Sequence, residues 1–321
     1  MARVLVAGAS GYTGALAARL VDRHPELELV AVTSRSDAGR RLDELYPQHR
    51  VPLVLDAYDI DEVGQVDAAI VAYPHGAAAP VVAELHERGI KVVDLSADFR
   101  LRDLAVYEEW YVPHEAPGLI DEAVYGLPER YRGDIAGATL VANPGCYPTA
   151  AILALAPLAP YLDDVVIDAK SGVSGAGRAP TDTTHFVSAD ENVTPYGVGR
   201  HRHTPEIEQE LGVRVLFTPH LVPLDQGEMT SCYVTLKDDV DVHALYEGAY
   251  ADEPFVELAN RPPGMRDVRE TNFCRIHVHP DERSGKVLVF AVIDNLWKGA
   301  SAQAVQNLNL MLGIDETAGL K

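Results

Sequence analysis

Apolar residues along this chain fall in short runs whose spacing changes character near the middle. Residues 3–7 form a strand-length run, followed at once by glycines and then by a helical run at 15–21. A second apolar run at 27–32 completes strand, turn, helix and strand in about thirty residues, the length of one βαβ crossover. The pattern returns with a strand at 67–73, a helix at 77–86 ended by Gly89, and a strand at 91–95. Alternation of this kind predicts a doubly wound, mostly parallel sheet with helices on both faces.

Beyond residue 165 the pattern differs. The segments 165–170, 214–218, 229–236, 273–279 and 286–293 alternate apolar and polar positions and are mostly joined by long polar loops. That texture predicts an antiparallel or mixed sheet with one covered face. The tail, 298–312, reads as an amphipathic helix returning to the first domain. The predicted fold class is therefore α/β, with a Rossmann-type domain (1–146 and 297–321) and an α+β mixed-sheet domain (147–296) for substrate, catalysis and oligomerisation.

Charge and cysteine usage narrow the function classes. A formal net charge of −21 over 321 residues excludes the basic footprint that nucleic acid or an anionic membrane requires. No apolar run approaches the roughly 18 residues of a membrane helix, and Met1–Val6 enters a strand without a signal-peptide layout. Three widely spaced cysteines make neither a disulfide framework nor a zinc site, so reducing cytoplasm is the expected compartment.

The first strand runs directly into Gly8-Ala9-Ser10-Gly11-Tyr12-Thr13-Gly14. Glycines there permit a tight turn and close approach of a pyrophosphate to the helix N-terminus. The bare alternative is a tight βα turn. After the second strand comes Ser34-Arg35-Ser36, with no acid until Asp37. A cationic, hydroxyl-rich loop suits a ribose 2′-phosphate, so NADP is the expected cofactor, unless Arg35 is only a solvated charge.

Asn143-Pro144-Gly145-Cys146 precedes a helical run at 150–156. The Pro-Gly turn puts Cys146 at or near a helix N-terminus, where backbone N–H groups and the dipole lower a thiol pKa and hold an oxyanion. Cys232 and Cys274 lie inside strand-like runs and read as structural. A thiolate beside a nicotinamide attacks an activated acyl group, forms a thioester and offers its carbon to hydride. Collapse of the thiohemiacetal to an aldehyde needs a general acid/base.

The run 141–150, together with 8–14, 94–100, 171–178, 201–206 and 294–299, resembles the N-acetyl-γ-glutamyl-phosphate reductases, in that family's order over essentially the whole chain. The resemblance implies NADPH-dependent reduction of N-acetyl-γ-glutamyl phosphate to the 5-semialdehyde, the third step of arginine biosynthesis. It also implies that His201 or His203 is the acid/base, with a slight lean to His201. Arg100 is implied to grip the acyl phosphate, with Arg102 as alternative and an ion pair to Asp98 or Asp103 as the bland reading. Ser96, Ser174, Gly175 and Arg178 join the substrate contacts, and Asn295 the nicotinamide end, while Lys298 reads as the start of the last helix. No metal is expected. Family members are usually homo-oligomers, so a dimer or tetramer is expected beside the small-molecule substrate. The competing readings are a carrier-linked aminoadipyl-phosphate reductase, which usually has a different tripeptide after the cysteine, and aspartate-semialdehyde dehydrogenase, whose flanking motifs fit less well. A catalytically idle NADP-binding regulator would lack Cys146 or both histidines, and all three are present.

Overall fold

In the computed structural model, which describes residues 1–61 and 64–321, the apolar runs of the first half become parallel strands of one sheet. Strands β1 (Ala2–Ala7), β2 (Leu27–Thr33), β3 (Leu55–Asp56), β4 (Ala68–Val71), β5 (Lys91–Asp94), β6 (Val124–Tyr125) and β7 (Leu140–Ala142) take the order β3-β2-β1-β4-β5-β7-β6. All of these pairings are parallel. β4 is buried throughout and β1 from Val4 onward, as parallel strands covered on both faces must be. Order reverses at β1, where the glycine loop and the helix Tyr12–Asp22 follow.

The second sheet comprises β8 (Leu162–Ser171), β9 (Thr194–Pro195), β10 (Leu216–Leu221), β11 (Glu228–Leu236), β12 (Val256–Leu258), β13 (Cys274–Asp281) and β14 (Lys286–Ile293). Its order is β12-β13-β14-β11-β8-β10-β9, with parallel pairs β10/β8 and β12/β13 and antiparallel pairs elsewhere, so the sheet is mixed. The helix Cys146–Leu155 packs on β11 and β14 and is buried at every position from Tyr147 to Leu155. A helix apolar all round belongs inside a core. Its last turn is satisfied by two tyrosines of the helix Val242–Tyr250: Tyr246 donates to the Ala154 carbonyl, and Tyr250 to that of Leu153 at 2.6 Å.

Contacts divide the chain into Met1–Pro144 with Ala300–Lys321, and Gly145–Gly299. The sequence places those boundaries after Cys146 and before Trp297. The difference has a local cause: Gly145 and Cys146 open the helix packed on the second sheet, and Gly299 lies against Cys146. The tail expected as one helix is a π-turn, Trp297–Ser301, followed by the α-helix Ala302–Leu312. That helix packs on Tyr12–Asp22 and on Pro128–Gly137 of its own unit. No helix among the described residues is long and apolar enough to cross a membrane.

Candidate active site

The glycine loop is built by exclusion. Gly8 adopts φ +88°, and a Cβ there would lie 2.7 Å from the Ala72 carbonyl oxygen. A Cβ on Gly14 would overlap the Gly8 carbonyl, so helix and loop close on each other only with glycine at that position. The helix N-terminus has no side-chain cap and no acid in its first turn, which leaves its amides suited to a pyrophosphate. These residues fit a dinucleotide. Ser10 Oγ and Ser34 Oγ hydrogen-bond at 2.8 Å, and Ser34 Oγ also accepts the Asp37 N–H, tying the loop to the end of β2. Tyr46 donates to the Ser10 carbonyl at 2.8 Å, a support with no signature in the sequence. Arg35 is exposed with its guanidinium 4.8 Å from the Tyr73 ring centroid, and Ser36 donates to Asp37.

At the carboxyl end of β5 the expected substrate residues turn inward. Ser96 Oγ donates to Asp94 at 2.6 Å and accepts the Asp98 N–H, so this hydroxyl builds its own turn. Burial, with Asp98 nearby, pushes Asp94 up to about 7. Asp98 accepts the N–H groups of Gly76 and Ala79 and the Tyr107 hydroxyl. Arg100 is 5% exposed and donates to the backbone carbonyls of Asn143 and Leu95, each at 2.8 Å. Its Nε–H thereby holds the backbone just before Pro144, and an Nη2–H holds the end of the β5 segment at Leu95. Arg102 is exposed, with Tyr131 OH at 3.4 Å.

In the second unit Cys146 is the first residue of its helix, and Gly145 is the extended N-cap without a side-chain cap. The Gly145 N–H donates to Glu206 Oε1 at 2.9 Å, so the N-cap is held by the first turn of the helix Thr204–Leu211. Gly299 approaches so closely that a Cβ there would stand 2.8 Å from Cys146 Cβ. Tyr147 packs its ring edge-on against His201, His203 and Phe217. Tyr196 donates to Tyr147 OH at 3.1 Å. His201 Nδ1 accepts the His203 N–H, which places the ring proton on Nε2, and burial, helped by Arg202, pushes this imidazole down to about 4. His203 is the N-cap of its helix, and Pro205 sits in the first turn.

Glu228, at the head of β11, has no solvent exposure, and burial pushes its carboxyl up to about 8, against the opposing effect of the Cys146 thiol and with Asp294 raising it further. The sequence pattern starts this strand at 229, one residue later, and leaves Glu228 out. Extending the period backwards would have found it: Glu228, Thr230, Cys232 and Val234 share the buried face. Cys232 on that face is pushed up to about 12 by burial, in keeping with an unreactive core thiol.

The 172–177 loop is braced rather than open. Asn295 Nδ2 donates to Ser174 Oγ at 3.0 Å, and its Oδ1 accepts the Gly227 N–H at 2.7 Å. Asn295, expected at the nicotinamide, thus ties two loops of its own unit. A Cβ on Gly175 would crowd Ser171 Oγ at 2.9 Å, and Arg178 is exposed. Lys298 is fully buried inside the π-turn, its ammonium 5.8 Å from the Phe255 ring centroid. Among the described residues no group of three or more His, Cys, Asp or Glu could hold a metal ion.

A family model described as the NAD binding domain of semialdehyde dehydrogenase matches residues 3–138, and one described as its dimerisation domain matches 146–295. The N-acetyl-gamma-glutamyl-phosphate reductase of Desulforudis audaxviator (strain MP104C) is 51% identical, over 100% of this chain and 98% of that protein. The chain belongs to the N-acetyl-gamma-glutamyl-phosphate reductase family. A second relative of that name, from Moorella thermoacetica, is 49% identical over 100% of this chain and 98% of its own. Aspartate semialdehyde dehydrogenase II from Vibrio cholerae shares the fold at TM-score 0.74 and 19% identity, with 97% of this chain and 98% of that one covered. The Candida albicans aspartate semialdehyde dehydrogenase solved with NADP does so at 0.70 and 14%, over 97% and 98%. For a member of this family, the half-buried Cys146 is the thiol whose setting differs from the two fully buried ones, Cys232 and Cys274.

Proposed function

We propose that the chain reduces N-acetyl-γ-glutamyl phosphate to N-acetylglutamate 5-semialdehyde and phosphate with NADPH, through a thioester on Cys146, as the third step of arginine biosynthesis. The observation that carries this is Cys146 at the first position of a buried helix whose N-cap is held by Glu206 and whose first turn carries no acid. Amides and dipole there favour the thiolate and a developing oxyanion. The thiolate attacks the acyl carbon and phosphate leaves. Bound NADPH supplies a hydride to the thioester carbon. His201, neutral with its proton on Nε2, suits hydrogen-bond donation to the carbonyl oxygen better than proton abstraction. His203 remains the second acid/base candidate. Arg100 supports the Asn143 backbone and is proposed for the phosphate, whose oxygens its planar guanidinium matches. Ser174, Gly175 and Arg178 are proposed to face the substrate.

NADP rather than NAD is supported by Arg35 between Ser34 and Ser36, with no carboxylate until Asp37. A homo-oligomer is supported by the match to a dimerisation domain and by Phe186, Val187, Val198 and Leu216, all more than half exposed. Cytoplasmic residence is the compartment that suits three free thiols.

The test runs the reaction backwards, with NADP, phosphate and N-acetylglutamate 5-semialdehyde, following the reduced cofactor. Expected is reduction that depends on phosphate (or arsenate) and falls to background in Cys146→Ala. A wild-type protein that binds NADP yet reduces none of it would overturn the substrate, and aspartate and aminoadipate semialdehydes would be tried next.

A further inference from the structure

The mechanism above leaves one question of proton balance open, and the interior of the second unit holds a group to answer it. Glu228 is fully buried, and neither carboxyl oxygen finds a nitrogen or oxygen partner among the described residues. The group whose interaction favours its ionised form is the Cys146 thiol. A buried carboxyl without partners costs stability and is retained where it does chemistry. Meanwhile His201, one of the two acid/base candidates beside His203, has Nδ1 committed to the His203 N–H.

We propose that Glu228 is a further catalytic residue, the proton store of the Cys146 sulfur. It takes the thiol proton when Cys146 attacks and returns it when the thiolate is expelled. This rests on the acyl-phosphate reading above. The working form of the pair has lost one of its two protons and keeps the other on sulfur, with Glu228 as carboxylate. In the first half, the S–H bond breaks to give a Glu228 carboxylic acid, the S–C bond forms, and the C–O bond to phosphate breaks. Phosphate leaves with the electron pair and takes its own proton from solvent. In the second half, once the thioester carbon has accepted the hydride that a bound reduced nicotinamide would supply, the resulting oxyanion re-forms C=O. The S–C electrons then return to sulfur, and Glu228 gives back the stored proton. One proton is consumed overall, the one that leaves on phosphate.

The groups bearing on Glu228 sharpen this role. Asp294, beyond β14, opposes its ionisation, and Tyr147 and Tyr196 interact with it from the Cys146 helix and from beyond β9. Burial keeps both phenols protonated, so they hold their charge state while the thiol and the carboxyl exchange one proton. Such a pair titrates in two macroscopic steps that belong to the pair.

The experiment measures iodoacetamide alkylation of Cys146 against pH in the full chain, by mass spectrometry, for wild type and Glu228→Gln. Glutamine keeps shape and neutrality, so the variant should fold, which circular dichroism checks. Expected is a two-step rise in wild type and a single step in Glu228→Gln. Turnover in the reverse assay should fall about 100-fold in Glu228→Gln with KM changed less than about threefold, and Glu228→Asp should recover part of it. Superimposable alkylation profiles, or retained kcat in Glu228→Gln, would overturn the proposal. Alkylation needs no substrate. Two-step alkylation in a wild type inactive on the semialdehyde would therefore leave the thiol–carboxyl pair standing and overturn the substrate reading alone.

Discussion

At Cys146 the decisive neighbour is a hydrogen atom. Gly299 presents no side chain, and a methyl group in its place would stand 2.8 Å from Cys146 Cβ and 3.3 Å from Ile293 Cδ1. One of the three must move, and the proposed nucleophile, displaced by a fraction of an ångström, would lose its line of attack. Gly299→Ala is therefore expected to lower kcat about 10–100-fold, while overpacking costs roughly 1–3 kcal/mol of stability. Gly248→Ala, exposed inside the helix Val242–Tyr250 with nothing within 4 Å, serves as the control: kcat should stay unchanged, and the melting temperature should rise slightly because alanine favours a helix interior. A Gly299→Ala enzyme with wild-type kcat would show that the sulfur tolerates the shift. The place of Cys146 at a helix start was legible in the sequence because Pro144 and Gly145 announce a turn before an apolar helix. Gly299 and Glu228 were not, since one acts by absence and the other lies just outside the strand as first counted. Residue types that suit a phosphate also suit backbone carbonyls and carboxylates: Ser96 donates to Asp94, and Arg100 to the carbonyls of Leu95 and Asn143.

Among the elements, the helix Cys146–Leu155 shows how an apolar segment acquires a working end. Its carbonyl end is closed by the Tyr246 and Tyr250 hydroxyls, and its N-cap amide is held by Glu206 from another helix. Removing that acceptor leaves the buried Gly145 N–H without it, at a cost of about 1–3 kcal/mol. Glu206→Ala should lower the melting temperature accordingly and slow Cys146 alkylation, and Glu206→Gln, which keeps an acceptor oxygen, should restore most of both. Equal loss in the two variants would assign the effect to charge instead. Periodicity resolved the long elements because each buries one consistent face: β11, β13 and β14 fall within a residue or two of the sequence reading. It missed the two-residue strands β3, β6 and β9, too short to have a period. It also merged the π-turn Trp297–Ser301 with the helix after it. That turn is set by Asp294, which accepts the N–H groups of Leu296 and Trp297 through its side chain and that of Gly299 through its carbonyl. A single wide turn of this kind is how a helix start is reshaped beside a reactive group.

Over the whole molecule, buried titrating groups pull stability in opposite directions with pH. Glu228 and Asp94 hold their protons in the folded state to about 8 and about 7, whereas the unfolded chain releases them near the ordinary carboxyl values of 4.5 and 3.8. Raised carboxyls of this kind favour folding at low pH, and that advantage is lost as pH rises through the window up to their folded values. His201 and His49 run the other way: burial pushes both down to about 4 from 6.5, so their contribution is lost as pH falls from 6.5 towards 4. Between about 4.5 and 6.5 the two sets oppose each other. Above 6.5 the histidines are neutral in both states, and the carboxyls alone decide the slope. Melting temperature is therefore expected to fall between pH 6.5 and 8. Of that loss Glu228 supplies about 2 kcal/mol, at roughly 1.4 kcal/mol for each pH unit in which one proton separates the two states. Glu228→Gln removes that group from the balance, so its melting temperature should decline less steeply over the same range and exceed that of wild type at pH 8. Parallel melting curves for the two proteins across pH 6.5–8 would mean that Glu228 is already ionised in the folded enzyme, with a counter-charge supplied where the described residues offer a thiol.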